Sequence, residues 1–255
     1  EVKDIIKQIE AAGFEAIAGG GCVRDCILGR TPQDWDITTS ALPSQIKEIF
    51  ARTIDTGIQH GTVTVMIGKT GYEITTYRID GEYKDCRHPE NVEFSSDLKD
   101  DLKRRDFTIN AMAYNDEVGL VDPFNGMEDI KYHKIRCVGR AEDRFSEDAL
   151  RILRAIRFAS QLGFVLEPDT DWNISKMYKN LENISIERIN SEFCKIAASS
   201  DFCVQMVLYH EVFSLFIPEI KDMLGFQQNN PYHMYDVWNH TVHAIEYCES
   251  DDLVT

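Results

Sequence analysis

The stretch Phe14-Glu15-Ala16-Ile17-Ala18-Gly19-Gly20-Gly21-Cys22-Val23-Arg24-Asp25 decides the fold class. Residues 14–18 form a short apolar run that reads as a strand, and it ends in three consecutive glycines. A helix follows at once, carrying Val23, Ile27 and Leu28 and stopping at Gly29. A strand that passes through glycines into a helix is an α/β unit, and its turn suits a polyanion. Glycine lets phosphate approach the backbone, and the first N–H groups of a helix have no intrahelical partner. Gly19, Gly20, Gly21 and Arg24 are therefore candidate nucleotide-binding residues. No Gly-Lys-Ser/Thr follows, so this is not a P-loop. A plain strand–helix turn explains one glycine, less readily three.

Just downstream, Asp34-Trp35-Asp36-Ile37-Thr38-Thr39 alternates like a strand, which would put Asp34 and Asp36 on one face. Like charges this close repel unless a cation intervenes, and Mg²⁺ accepts carboxylate oxygens while leaving positions for water and phosphate. Taken alone, an Asp-x-Asp is more often a solvated turn; the neighbouring glycine turn shifts the balance toward a metal site. The strand Tyr72-Glu73-Ile74-Thr75-Thr76 would lay Glu73 beside the two aspartates as a third catalytic carboxylate, although a lone strand glutamate is usually surface. Around these elements the pattern predicts helices at 3–12 and 43–51 and a hairpin of 61–67 with 72–77. The result is an α/β head with a small mixed β-sheet. Residues 80–103 are polar and irregular and read as a loop.

Two further segments carry chemistry. In Arg104-Arg105-Asp106-Phe107-Thr108-Ile109-Asn110 the paired arginines suit phosphates, and Asp106 and Asn110 suit a sugar or each other; an ion-paired helix start is the plainer alternative. From about residue 141 the pattern turns helical, with helices expected at 145–162, 169–181 and 186–198 and Ser185 as an N-cap. The first contains Glu147-Asp148-Ala149-Leu150-Arg151, with Arg154 and Arg157 beyond. An intrahelical Asp148–Arg151 ion pair is the plain reading of i, i+3 spacing. The sharper reading uses both groups on a base. Cytosine and adenine each show an exocyclic amino donor beside a ring-nitrogen acceptor, so Asp148 can accept and Arg151 can donate. Guanine and uracil reverse that order.

Composition narrows the classes. The 255 residues carry a net charge of −16, which argues against a general nucleic-acid binder. The span 131–157 runs the other way, with eight basic residues against four acids, as a local phosphate or RNA site requires. No apolar stretch is long enough for a membrane span, and the charged start lacks the blocks of a signal peptide. Seven cysteines without a Cys-x-x-Cys pair indicate neither a zinc site nor a disulfide framework. Reduced thiols in a cytoplasmic protein are expected.

Taken together, Gly19-Gly20-Gly21-Cys22-Val23-Arg24-Asp25, Leu28-Gly29-Arg30 and Asp34-Trp35-Asp36-Ile37, then Arg104 to Ala111, then Glu147-Asp148-Ala149-Leu150-Arg151, resemble the motifs of class II CCA-adding tRNA nucleotidyltransferases and bacterial poly(A) polymerases, of the polymerase β superfamily. The resemblance runs over about residues 1–226. It implies a nucleotidyltransferase head at 1–138, a helical neck with the nucleotide-selecting helix at 139–200 and the start of a helical body at 201–226. It implies Mg²⁺ on Asp34 and Asp36, a ribose-handling role for Arg105, Asp106 and Asn110, and Asp148, Arg151 and Arg154 facing the base, with Arg157 further along that helix. CTP, ATP and the 3′ end of tRNA become the expected partners, with no membrane. The segment Tyr83-Lys84-Asp85-Cys86-Arg87-His88 resembles the loop that switches such enzymes from C to A addition. Residues 227–255 resemble the opening of an HD-type phosphohydrolase domain, with His240 as its first metal ligand and the later His-Asp pair absent. A poly(A) polymerase is the nearest rival; an HD phosphohydrolase and a non-catalytic RNA-binding module are more distant ones.

Overall fold

The computed structural model describes residues 1–81 and 92–248. The described chain divides into two compact units: residues 1–81, 92–132 and 136–144 form one, and residues 133–135 and 145–248 the other.

The first unit is built on a seven-stranded sheet in the order β3-β4-β5-β2-β1-β8-β9, formed by β1 (Ala16–Gly19), β2 (Asp36–Thr39), β3 (Thr53–Gly57), β4 (Thr62–Ile67), β5 (Thr70–Thr76), β8 (Ala113–Asn115) and β9 (Gly119–Val121). Its one parallel pairing is β2 with β5, so the sheet is mixed. The β4–β5 hairpin closes at Gly68-Lys69, with Ile67 opposite Thr70 and Gly68 at φ 63°. The helices α1 (Val2–Ala11), α2 (Gly21–Ile27), α3 (Pro43–Ile49), α4 (Leu98–Lys103) and α5 (Gly126–Lys131) complete it, with a small ladder of β6 (Arg78–Asp80) and β7 (Val92–Phe94). Helix α1 buries Ile5, Ile6 and Ile9, a stripe at helical spacing. A core of Ile17, Tyr77, Leu102, Ala111, Ala113 and Val138 fixes β1 and β8.

The second unit is helical: the end of α6 (Ala141–Glu147), α7 (Leu150–Leu162), α8 (Pro168–Met177), α9 (Ile186–Ala197), α10 (Phe202–Leu208), α11 (His210–Phe213), α12 (Glu219–Met223) and α13 (Val237–Glu246), with the short parallel pair β10 (Lys134–Ile135) and β11 (Val165–Leu166). Phe193 stands edge-on to Phe202, Phe213 and Phe216, with ring centroids 5.5 to 5.9 Å apart. Helix α13 buries Trp238 and Val242, packing against α10 and α12, so the HD-like stretch up to its end is integrated into this unit. Among the described residues no helix is long and apolar enough to cross a membrane.

Four sequence expectations change. Strand β2 begins at Asp36, opposite the point where its antiparallel partner β1 ends at Gly19, and Asp34 lies in a bend before it. The helix expected over 145–162 is two helices, broken at Asp148 and Ala149: Asp148 Oδ1 accepts the Leu150 N–H at 3.0 Å and so restarts the helix. The stretch read as a loop at 80–103 contains β7 and α4, whose N-cap Asp97 accepts from Lys99 N. Helix α8 ends at Met177 and continues as a 3₁₀ turn, Tyr178–Asn183. The C-to-A switching segment, residues 83–88, lies outside the described residues.

Candidate active site

In the first unit the sheet register sets the carboxylates. Strand β2 runs parallel to β5 with Asp36 opposite Glu73, so Glu73 lies next to Asp36 on the adjacent strand. The Asp36 carboxyl is held above the usual aspartate range, first by loss of hydration and then by Asp34 and Asp101, against the opposing pull of Arg105. Glu73 is raised as well, by desolvation first and then by Asp36 and Asp34. Loss of hydration is the first cause of both shifts and the neighbouring carboxylates add to it, a deficit that a divalent cation would relieve. Among the described residues no group of three His, Cys, Asp or Glu side chains is closed tightly enough to form a metal cage. Mg²⁺ is suited to such an open arrangement, because it keeps several waters and takes one or two carboxylates plus substrate phosphates. The HD-like segment likewise shows no such group among its described residues.

The glycine turn lies against this carboxylate. Gly20 has φ 85° and ψ −138°, and a Cβ there would stand 2.2 Å from Arg105 Nη1 and 3.5 Å from Asp36 Oδ2. That backbone conformation favours glycine, and a side chain there would displace the Arg105 guanidinium. Gly21 is an ordinary helical residue whose Cβ would meet nothing closer than 3.6 Å. The Arg105 guanidinium thus covers the glycine turn. It is held loosely, by Asn110 O and Asp101 Oδ2, each at 3.4 Å, and its Nε is buried without a partner. Asp101 was not visible as a site residue in the sequence. It is fully buried and also accepts Arg104 Nε and Nη2 at 3.0 and 2.6 Å. Its spacing of three and four residues before the arginines is the only sequence signal for it.

Arg24, Asp106 and Asn110 form one network. Arg24 Nη1 donates to Asn110 Oδ1 at 2.6 Å, and Asn110 Nδ2 donates to Asp106 Oδ1 at 3.1 Å. A 3₁₀ turn, Thr108–Asn110, presents Asn110, and the buried Asp129 anchors that turn by accepting from Thr108 Oγ1 at 2.6 Å and pairing with Arg136 at 3.1 Å.

In the second unit, Asp148 sits in the break between α6 and α7. Its Oδ1 takes Leu150 N, and its Oδ2 takes Arg188 Nη2 at 3.0 Å. Arg151 pairs instead with Glu147, Nη1 to Oε2 at 2.6 Å. The Asp148–Arg151 pair weighed from spacing is not formed: each group is held by a different residue. Arg154 is half-buried with its guanidinium 5.5 Å from the Phe158 ring centroid, whereas Arg157 is buried, pairs with Glu192 at 3.1 Å and lies 4.4 Å over the same ring. Sequence reasoning missed Arg188 and Glu192, which lie on a different helix about forty residues downstream, where local spacing carries no signal.

Fold and site together define a nucleotidyltransferase head followed by helical segments. The family model described as the poly A polymerase head domain matches residues 16–136, and one described as the probable RNA and SrmB-binding site of polymerase A matches residues 163–224. The chain belongs to the family of the CCA-adding tRNA nucleotidyltransferases and bacterial poly(A) polymerases. It is 53% identical over 197 residues to a CCA-adding enzyme of Lactobacillus delbrueckii subsp. bulgaricus, covering 77% of this chain and 50% of that protein. To the CCA-adding enzyme of Latilactobacillus sakei subsp. sakei it is 54% identical over 196 residues, covering 77% and 49%. Among solved structures, the Bacillus stearothermophilus CCA-adding enzyme in complex with CTP matches with a TM-score of 0.76 and 45% identity, over 83% of this chain and 51% of that one. A tRNA nucleotidyltransferase complexed with a primer tRNA and an incoming ATP analog matches with a TM-score of 0.69 and 31% identity, over 88% and 64%. The chain spans about half the length of the curated relatives it matches. Polymerase-type nucleotidyltransferases generally use divalent metals.

Proposed function

We propose that this chain carries the head and the nucleotide-selecting helices of a Mg²⁺-dependent enzyme of the cytoplasm that adds CMP and AMP, from CTP and ATP, to the 3′ end of tRNA. The observation that carries the base-selecting part is the state of Asp148 and Arg151. A carboxylate and a guanidinium stand within one turn of each other, each fastened by another residue, with neither neutralising the other. In this reading the two residues supply an acceptor and a donor to one base edge.

In this reading Asp34 and Asp36 hold the metal ion, with Glu73 beside them. The ion's contribution is to make the tRNA 3′ hydroxyl a better nucleophile and to offset charge on the departing pyrophosphate. Gly19 and Gly20 let the triphosphate approach the backbone, and Arg105 turns from the glycine turn to the phosphates. The network of Arg24, Asp106 and Asn110 orients the ribose. Asp148 accepts the exocyclic amino group of C or A, and Arg151 donates to the ring nitrogen, with Arg154 beside them. A guanine or uracil would leave two buried polar groups unsatisfied at about 1–3 kcal/mol each, enough to reject it by orders of magnitude. Arg157 serves this site by fastening α7 to α9 through Glu192.

The test is extension of a tRNA transcript lacking its 3′ CCA, with Mg²⁺ and each NTP singly and in pairs. Growth by three residues only with CTP and ATP together is expected. An open-ended ladder with ATP alone would replace the reading with a poly(A) polymerase, and release of phosphate from phosphate esters without chain growth would replace it with a hydrolase.

A further inference from the structure

At the end of β1 away from the glycine turn lies a depression of about 360 Å³, within the range of about 300–1,000 Å³ usual for small-molecule sites. Ala16 opens the strand at the depression, and Gly19 closes it at the turn. Every residue that lines the depression belongs to the first unit. Tyr77 is one of them, although it is only 1% exposed. Its ring packs in the core with Ile17 and Leu102, so it is the hydroxyl end that meets the depression. The Tyr77 backbone bonds to Thr39 and Ser95, whereas the hydroxyl bonds to none of the described residues. Burial first, then the charges of Glu15, Asp101 and Asp97, push it above the ordinary tyrosine range. It therefore stays neutral and can both donate and accept a hydrogen bond.

Three carboxylates, Glu10, Glu15 and Asp97, line the same depression. Glu10 Oε1 accepts from Asn115 Nδ2 at 2.7 Å, and Asp97 Oδ1 accepts from Lys99 N at 2.8 Å. The second oxygen of each, and both oxygens of Glu15, bond to no described residue. No Lys, Arg or His among the described residues pairs with any of the three, so the depression holds uncompensated negative charge. A single metal ion does not answer that charge. Among the described residues no three carboxylates close tightly enough to cage one, and these acids repel the phosphates that would complete a more open shell. The charge asks instead for a cation that is positive in more than one place. Ile17, Leu98 and Val118 add apolar surface to the lining, which suits methylene groups between such charges.

We propose that this depression binds a linear polyammonium ligand of the alkyl triamine class, with its ammonium groups on Glu10, Glu15 and Asp97 and the Tyr77 hydroxyl accepting one N–H bond. The site is separate from the carboxylates Asp34, Asp36 and Glu73, and it does not depend on the proposed function.

The experiment titrates the 255-residue chain with spermidine by isothermal titration calorimetry, at fixed ionic strength and without nucleotide or Mg²⁺. A single saturable site is expected, with the monoamine butylamine about tenfold weaker because it can meet only one carboxylate. Glu15 is exposed, and Asn caps a helix as well as Asp does, so Glu15→Gln with Asp97→Asn leaves the fold intact. That pair is expected to weaken spermidine about tenfold. Tyr77→Phe keeps the ring in the core and is expected to weaken it about threefold to tenfold, the loss of one hydrogen bond. Glu128→Gln with Glu219→Gln removes the same charge from exposed positions elsewhere, and affinity should stay within about twofold of wild type, as it should for Asp36→Asn. Absence of saturable binding overturns the proposal. So does equal weakening by the distant pair, which would mean a response to the net charge of −16, or loss of binding in Asp36→Asn, which would put spermidine in the active site. Unchanged affinity in Glu15→Gln with Asp97→Asn, or in a Tyr77→Phe protein with the wild-type circular dichroism spectrum, overturns it as well. Equal affinity for butylamine would refute the polyammonium ligand, and displacement by Mg²⁺ at concentrations comparable to spermidine would make the occupant a metal ion.

Discussion

Replacing Gly20 with alanine separates backbone strain from loss of the site. Gly20 holds φ 85° and ψ −138°, a region that residues with a Cβ rarely enter. Forcing a side chain into such a conformation costs about 1–3 kcal/mol. The new methyl would also stand 2.2 Å from Arg105 Nη1. That atom is the far end of a flexible side chain whose two hydrogen bonds are long, so moving it adds little to the stability loss. Its consequence is chemical: the guanidinium is pushed off the glycine turn, and the methyl takes the space a phosphate would need. We expect a destabilisation of about 2 kcal/mol, which for a chain of this size lowers Tm by about 4–8 °C. Metal-dependent nucleotide turnover should fall far more than that loss explains. Gly21→Ala is the control. Gly21 is helical and a Cβ there would make only ordinary contact with the Arg24 guanidinium, 3.6 Å away, so alanine there should be neutral or stabilising by up to about 1 kcal/mol. Thermal unfolding of both variants, followed by NTP turnover at a temperature where each is folded, makes the comparison. If Gly20→Ala melts with wild type, the strain argument is wrong. If it melts lower yet turns over nucleotide normally, the glycine turn does not receive the phosphates.

Further outcomes follow from the same geometry. Asp36→Asn should abolish turnover while raising Tm in metal-free buffer near neutral pH. Asp36 and Glu73 are held above their ordinary pKa values, so the folded state binds protons that the unfolded state releases, and stability falls as pH rises from about 4 through the raised values. A drop in Tm for this variant would show that the carboxylates are not mutually destabilising. Asp34→Ala should likewise remove turnover without unfolding the chain, as read by circular dichroism, and retained turnover would remove Asp34 from the metal site. Glu192→Ala should destabilise by about 3 kcal/mol, because it takes a buried carboxylate from the buried Arg157, whereas Lys195→Ala, losing an exposed partner of the same glutamate, should cost under about 1 kcal/mol. Urea unfolding gives both, and equal costs would refute the buried-pair argument. Arg151→Ala should weaken discrimination against GTP and UTP, and unchanged selectivity in single-nucleotide incorporation would remove it from base reading.

Local pattern reached as far as local forces act. The strand–glycine–helix turn, the β4–β5 hairpin, α1 with its Ile5, Ile6 and Ile9 stripe, and α3 opening at Pro43 were all legible, because periodicity and turn chemistry set them within a few residues. The motifs carrying Asp36, Arg105, Asn110 and Asp148 were legible for the same reason: each is a short run. The break at Asp148 was missed because the apolar period continues through it on both sides, and a side-chain bond to Leu150 N overrides that period.

What the sequence alone determined is therefore which residues are candidates for chemistry and which segments they sit on. Only the tertiary structure decided which of those residues act on one another. Parallel pairing of β2 with β5 places Glu73 against Asp36 although thirty-odd residues separate them, and no local preference encodes that register. The packing of α9 on α7 hands Asp148 to Arg188 and Arg157 to Glu192, so that the Asp148–Arg151 pair suggested by spacing does not form. Spacing along a helix offers a partner worth only a few tenths of a kcal/mol, so the competing partners, Glu147 four residues before Arg151 and Arg188 on another helix for Asp148, decide the pairing.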